Sequence, residues 1–315
     1  MMVLESTRSV VEQANHVRID DAAIHRWARN VTAEDLRPVH HVLPAQLPGS
    51  REELANLVLL LDALNFCFWS PNPITTAWRG QTYHRFEAMF VSLLITARHD
   101  PKWFDAQYWV DAPSQALRDA LHDKGELLML DERERIIRET GRTLVDRFDG
   151  QFANAVDSVN YKAWPLAVLL MTNFESFRDV AEYHGRPVYI LKRAQICALD
   201  LSIAWETHGH AALAGTEELT AFADYRVPQA LRHLEILKLT PDLAAAIDSG
   251  REIEKDSEQE IELRSASIHA VERMRAAAAD AGAAVPAWQV DWYLWGLSHS
   301  ADIAANHHCT RTVNY

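Results

Sequence analysis

The sequence predicts an all-α protein: a single globular helical domain with an additional N-terminal helical segment. Three observations carry this. Apolar residues recur at helical spacing in one stretch after another. Alternating runs of the strand type are hardly present. The stretch Tyr189 to Glu206, YILKRAQICALDLSIAWE, is apolar on most of its surface, as a helix in the middle of a protein must be. With 315 residues, 48% of them hydrophobic, the chain has ample material for one large core.

Residues 1–30 read as helix, with Val10, Val11, Ala14 and Val17 on one face and Ala22, Ile24, Trp27 and Ala28 continuing after Asp20–Asp21. Residues 31–49 read as a linker, with Pro38, Pro44, Pro48 and a solvated pair, His40–His41. Ser50 with Glu53 has the form of a capping box and opens a Leu-rich helix, Glu52 to Leu64. That helix runs into Asn65-Phe66-Cys67-Phe68-Trp69-Ser70, where Pro71 and Pro73 end it. Its aromatics are either a core plug or the wall for a flat ligand. Trp78-Arg79-Gly80 suggests a short hairpin with Thr82 and Tyr83. Helices follow over Tyr83–Ala97, Ser114–Leu121, Leu127–Thr140 and Thr143–Val159, the last with a turn at Asp149–Gly150. Ala163–Met171 and Phe177–Tyr183 continue the series before the central Tyr189 helix. The acidic run REIEKDSEQEIELR reads as solvated. Ser265–Ala281 is a helix that stops at Gly282, and Val290–Trp295 is a helix carrying three aromatics.

The stretch Leu219 to Leu237 organises the chemistry. A turn-like FADYR leads into an amphipathic helix, with Pro228 fitting its first position and Val227, Leu231, Leu234 and Leu237 on one face. Asp224 therefore stands just ahead of a helix start, whose unpaired N–H groups and positive dipole end keep a carboxylate ionised. Such an Asp is either a cap or a working carboxylate. In the central helix, Lys192 is either a snorkelling lysine or a cation at the edge of a pocket.

Composition excludes several classes. A net charge of −13 disfavours a nucleic-acid backbone as partner. The charged N-terminus is no signal peptide, and no apolar run approaches ~18 residues. Cys67, Cys197 and Cys309 form no CxxC pair, which suits a reducing cytoplasm. Adjacent residues in His307-His308-Cys309 point different ways, so no metal is expected there. No P-loop, GxGxxG, GxSxG or HExxH occurs.

Six blocks in order carry more: LNFCFW (Leu64 to Trp69), LKRAQ (Leu191 to Gln195), FADYRVPQALRHL (Phe222 to Leu234), QEIELR (Gln259 to Arg264), DWYLW (Asp291 to Trp295) and the His308…Arg311…Tyr315 tail. Together they resemble the queuosine salvage protein family over residues 50–315. One departure is Cys309, where the family usually has a basic residue. The resemblance implies an all-α fold related to the helix-hairpin-helix DNA glycosylases; residues 1–49, which match little, stand apart by their own spacing as an N-terminal helical segment and linker. It implies hydrolysis of queuosine 5′-monophosphate to free queuine. It places Asp224 as the residue that stabilises an oxocarbenium-like ribose and positions water.

The leaving base is a 7-deazapurine with carbon at position 7. Protonation there is closed, so departure must be helped at the pyrimidine edge. Asn65, Glu260 and Asp291 are the candidates to hold that edge, with Phe66, Trp69, Tyr225 and Trp295 for stacking. Lys192 either fixes Asp224 or binds the 5′-phosphate; Arg226, His233 and Arg264 are further phosphate candidates. No metal or cofactor is required, and the expected partner is a small-molecule nucleotide met by a monomer, without DNA or membrane. The rival readings are a glycosylase of DNA or of another nucleoside, and a non-catalytic helical module that binds a base or nucleotide. A DNA glycosylase wants a Gly-rich hairpin ahead of the catalytic region, and no such glycines occur here.

Overall fold

A computed structural model describes residues 2–37, 49–113, 115–121, 125–300, 303 and 305–315. The His40–His41 pair, its three prolines and Ser114 lie outside the described residues. Helices dominate. The N-terminal part comprises α1 (Met2–Gln13), β1 (Val17–Ile19) and α2 (Asp21–Ala28). Then come α3 (Arg51–Ala63), the hairpin β2 (Thr75–Trp78) and β3 (Gln81–His84), and α4 (Arg85–His99). They lead into α5 (Ala106–Asp111), α6 (Ala116–Ala120), α7 (Leu130–Phe148), α8 (Phe152–Ser158) and α9 (Ala163–Asn173). A second hairpin, β4 (Val180–Tyr183) and β5 (Arg186–Tyr189), precedes α10 (Lys192–Thr207). The chain closes with α11 (Arg226–His233), β6 (Leu237–Leu239), α12 (Pro241–Asp248), α13 (Glu258–Asp280) and α14 (Ala287–Leu297).

Helix α10 is buried along its length and packs on α3 and α9. Helix α13 does the same for the other half, with α1, α2, α11 and α14 against it. The capping box at α3 is present: the Ser50 hydroxyl accepts from Glu53 N, and the Glu53 carboxylate accepts from Ser50 N at 2.8 Å.

Several elements depart from the sequence reading. Residues 17–19 interrupt the N-terminal helix and pair antiparallel with β6. Phe177–Tyr183 is not a helix; Val180–Tyr183 alternates in burial and turns back at His184-Gly185, both at positive φ, as a tight hairpin requires. The central helix starts at Lys192, because Leu191 adopts a left-handed φ of 57°. Helix α7 runs unbroken through Gly141 to the expected stop, where Asp149 and Gly150 are both left-handed. Helix α11 begins at Arg226, so Pro228 is its third residue, still within the first turn where no N–H partner is needed. It ends at His233; Glu235 at φ 60° then turns the chain into β6, which places Leu237 in a strand. In the acidic run, Glu260 and Glu262 are buried.

Gly141 is where α7 meets α5. A Cβ there would lie 2.8 Å from both Ala106 O and Trp109 Cβ. Gly141→Ala gains ~1 kcal/mol of helix propensity, but forcing backbones apart costs about 1–3 kcal/mol. The expected result is a net loss of stability, read as a lower denaturant midpoint with an unchanged slope.

Candidate active site

One cavity of about 430 Å³ gathers residues from the end of α3, the start of α4, α10, the segment before α11, α14 and the C-terminal tail. The segment Thr220 to Tyr225 is buried throughout. A buried irregular segment must have its backbone groups satisfied, and here side chains from three helices do it. Gln195 of α10 accepts from Thr220 N at 2.9 Å. Asp291 of α14 accepts from Phe222 N at 2.8 Å. Arg264 of α13 donates to Ala223 O at 3.0 Å. The blocks KRAQ, ELR and DWYLW thus converge on the block FADYR.

Asp224 is the residue so held. Its Oδ1 accepts from Arg226 N at 2.7 Å and Val227 N at 3.0 Å. Both bonds fall on one oxygen; Oδ2 forms none among the described residues, and Asp224 lines the cavity. Two N–H donors at the helix start fix that oxygen and leave the other toward the cavity.

Lys192, 5% exposed, and Asp291, 3% exposed, line the same cavity. Burial pulls the Lys192 pKa down, and Asp224 followed by Asp62 pulls it back up. Burial pushes Asp291 up to about 8, and repulsion from Asp224 adds to the rise. A carboxyl raised to about 8 favours its protonated form at neutral pH, which makes Asp291 the candidate acid of the cavity. Asp200 is raised well above its ordinary range by burial and by Asp62; Asp62 itself reaches about 7 through burial and accepts from Asn65 Nδ2 at 3.3 Å.

Of the residues expected from sequence, Asn65, Lys192, Asp224, Tyr225, Arg226, Asp291 and Trp295 line the cavity. Phe66 does not. It is fully buried, with the Arg133 guanidinium 4.1 Å and that of Arg193 5.3 Å from its ring centroid. Phe68, two residues on, faces the cavity instead. Trp69 clamps the tail by donating Nε1 to Thr310 O at 3.0 Å. Glu260 and Arg264 lie behind the site: Arg264 grips Asp179 through two bonds of 2.9 and 2.6 Å and meets Glu260 at 3.4 Å. Burial opposes the Arg264 charge, but Asp179 and Glu260 together outweigh it and raise its pKa. Its guanidinium lies 4.4 Å from the ring centroid of Tyr315, which lines the cavity. His233 closes α11 away from the cavity. Sequence reasoning missed Arg85, Asp200, Phe222 and His299. Phe222 and Asp200 sat within or beside quoted blocks; Arg85 had no motif around it.

Among the described residues, His16, Glu258 and Glu262 have donor atoms within 4.8 Å of one another, a spacing that suits a cation. Glu262 is already committed: its oxygens accept from the N–H groups of Asn15, His16 and Val17 and from the Tyr183 hydroxyl at 3.0 Å. It clamps the start of β1, and none of the three lines the cavity.

Residues 45–315 match the family described as "Queuosine salvage protein". A protein of Sphaerobacter thermophilus named queuosine 5′-phosphate N-glycosylase/hydrolase is 39% identical over 99% of this chain and 97% of its own. Proteins of the same name from Dictyostelium discoideum and Bos taurus are 32% and 28% identical, each over 98% of their length.

Proposed function

The chain belongs to the queuosine salvage protein family, and from that premise we propose that it hydrolyses the N-glycosidic bond of queuosine 5′-monophosphate, releasing queuine. The observation that carries the chemistry is Asp224: a carboxylate with one oxygen fixed by two backbone N–H groups, facing a cavity that also holds the buried Asp291, whose carboxyl is pushed up to about 8. As the C1′–N9 bond lengthens, its electron pair moves to the base and positive charge grows on the ribose. Asp224 stabilises that charge, orients the water whose oxygen bonds to C1′, and accepts the proton that this water gives up. Lys192, buried in the same cavity, sets a cation near Asp224. Asp291 donates its hydrogen bond or proton to the departing base, and Asn65 reads the same edge. Trp295 and Tyr225 supply flat faces for the base and ribose.

Mass spectrometry after incubation with queuosine 5′-monophosphate and with guanosine 5′-monophosphate tests the reaction. Queuine from the first with no guanine from the second is expected; no queuine at all would overturn it. The acid role of Asp291 predicts an alkaline limit. Asp291 is protonated below about 8, so kcat/KM should fall as pH rises through that value, tenfold per unit beyond it. In Asp291→Asn that limb should vanish from a lowered profile; its persistence would assign it to another group.

The helical body with its carboxylate ahead of a short helix supports a relation to the helix-hairpin-helix glycosylases, which superposition on a solved glycosylase tests. The charge of −13 favours a free nucleotide over DNA; strong retention on heparin would count against that.

A further inference from the structure

Two arginines outside the cavity direct their donors at one stretch of backbone. Arg133, near the start of α7, and Arg193, in the first turn of α10, are fully buried and line no part of the cavity. Neither forms an ion pair among the described residues, although the equally buried Arg264 does. Their oxygen partners are carbonyls. Arg193 donates to Asp62 O at 3.2 Å, to Ala63 O and to Ser176 O. Arg133 donates to Leu64 O, to Phe66 O and, at 3.4 Å, to Cys67 O; its Nε reaches Leu128 O at 3.1 Å. Burial lowers the Arg133 pKa to about 9 and the Arg193 pKa to about 10, so both stay charged at neutral pH.

The end of a buried helix explains one of these cations. The last carbonyls of a helix have no partner within it and carry the negative end of its dipole. Residues 54–68 are buried without a break, so water does not reach the end of α3. Arg193 meets that need at Asp62 O and Ala63 O. Arg133 does something else: its carbonyls lie beyond the last helical residue, in the stretch that turns toward the cavity.

That stretch has an unusual shape. Asn65 and Phe68 line the cavity, whereas Phe66 and Cys67 do not. In an extended chain Phe66 and Phe68 would share a face. Cys67 between them breaks the alternation with a left-handed φ of 53°. Such a conformation at a residue other than glycine persists only where its surroundings fix it. Cys67 N donates to Tyr315 O at 2.8 Å, and Arg133 holds the carbonyls on both sides of Cys67. The same guanidinium, through Leu64 O and Phe66 O, also straddles Asn65.

We infer that Arg133 is a positioning residue: by gripping Leu64 O and Phe66 O it sets the orientation in which Asn65 and Phe68 meet the base. The identity of the base rests on the hydrolase reading above. A lysine would keep the charge, but a single ammonium lacks the planar fork that spans two carbonyls.

The test measures binding of queuine and of ribose 5-phosphate by calorimetry, in the wild type and in Arg133→Lys. Queuine affinity should fall about tenfold, the loss expected for one misdirected hydrogen bond, while ribose 5-phosphate binds as in the wild type. A lower melting temperature with both ligands bound as before would make Arg133 a purely structural residue and overturn the inference. Equal losses for both ligands would mean that the whole cavity has loosened, and would overturn it too. If Arg133→Lys does not fold, Phe66→Leu takes its place. It keeps the backbone carbonyls but removes the ring that stands 4.1 Å from the Arg133 guanidinium. It should weaken queuine alone, and unchanged queuine binding would overturn the inference. If the wild type neither binds nor releases queuine, the hydrolase reading fails. Hydrogen exchange then decides the positioning on its own: the amides of residues 64–68 should exchange faster in the variant, with α10 and α13 still protected, and unchanged exchange there would overturn it.

Discussion

Asp224→Asn is expected to slow queuine release by at least about 10³-fold while leaving the protein folded. The two halves of that statement come from the two oxygens. Oδ1 accepts from Arg226 N and Val227 N, and an Asn carbonyl accepts as well; Asn and Asp cap helices about equally. The start of α11 should therefore hold, and melting should move little. The charge, in contrast, is gone. Positive charge growing on the ribose loses its counter-ion, and water loses its acceptor. Removing one preorganised stabilising group costs about 10²–10³ in kcat, and loss of a general base costs about 10²–10⁴, so the lower bound is modest. Single-turnover release measured by mass spectrometry, beside a melting curve, checks both halves. A rate within tenfold of wild type would remove Asp224 from the mechanism. The variant should also shift the alkaline limb downward, because Asp224 is one of the causes that raise Asp291. Asp224→Ala makes a useful contrast, since it removes the cap too and should cost ~1 kcal/mol of stability.

The long helices were legible in the sequence because their signals are local and redundant. Helix α3 announces itself by a capping box, and α10 and α13 by many turns of apolar spacing. The strands were not legible beyond the hairpin at Gly80. Val17–Ile19 is too short for a pattern, and its partner Leu237–Leu239 lies far along the chain. The site was legible through six quoted blocks more than through spacing. A block marks a stretch as fixed without saying which of its side chains meets the ligand. Phe66 and Phe68 differ only by two residues, yet one is sandwiched by arginines in the core and the other faces the cavity. Glu260 and Arg264 were noticed for chemistry and turn out to brace the segment that carries Asp224. Arg85 was invisible because its place depends on α4 and α11 coming to line one cavity, which no local pattern encodes.

Arg264→Met is the substitution expected to cost most in stability, about 3–5 kcal/mol. Methionine fills much of the volume, so the loss is electrostatic. The intact guanidinium is fully buried and compensates two buried carboxylates, Asp179 and Glu260. Without it Glu260 loses its counter-charge, Asp179 keeps only the more distant pull of Arg193, and Ala223 O loses its donor. Burial already raises the Glu260 pKa in the intact protein, with Arg264 opposing that rise. In the variant the opposition disappears, so Glu260 should titrate higher still. The sign of the pH dependence follows. A carboxyl raised in the folded state binds its proton more tightly folded than unfolded, so its penalty is fully present above the raised value and fades as pH falls through it. The deficit of Arg264→Met against wild type should therefore shrink on acidification, and Glu260→Gln in the same chain should recover part of it. Urea unfolding at neutral and mildly acidic pH measures this; a deficit below about 1 kcal/mol at neutral pH would mean that the pair is solvated and the cluster behaves as a surface one. The same variant couples stability to chemistry. Arg264 fixes the carbonyl of the residue before Asp224, and Asp179, which it grips, also accepts from Lys192 N at 3.0 Å. Both groups proposed to act at the ribose hang on this one guanidinium. Below its melting temperature, the folded fraction of Arg264→Met should therefore show a lower kcat, because the carboxylate and the lysine have lost their common anchor.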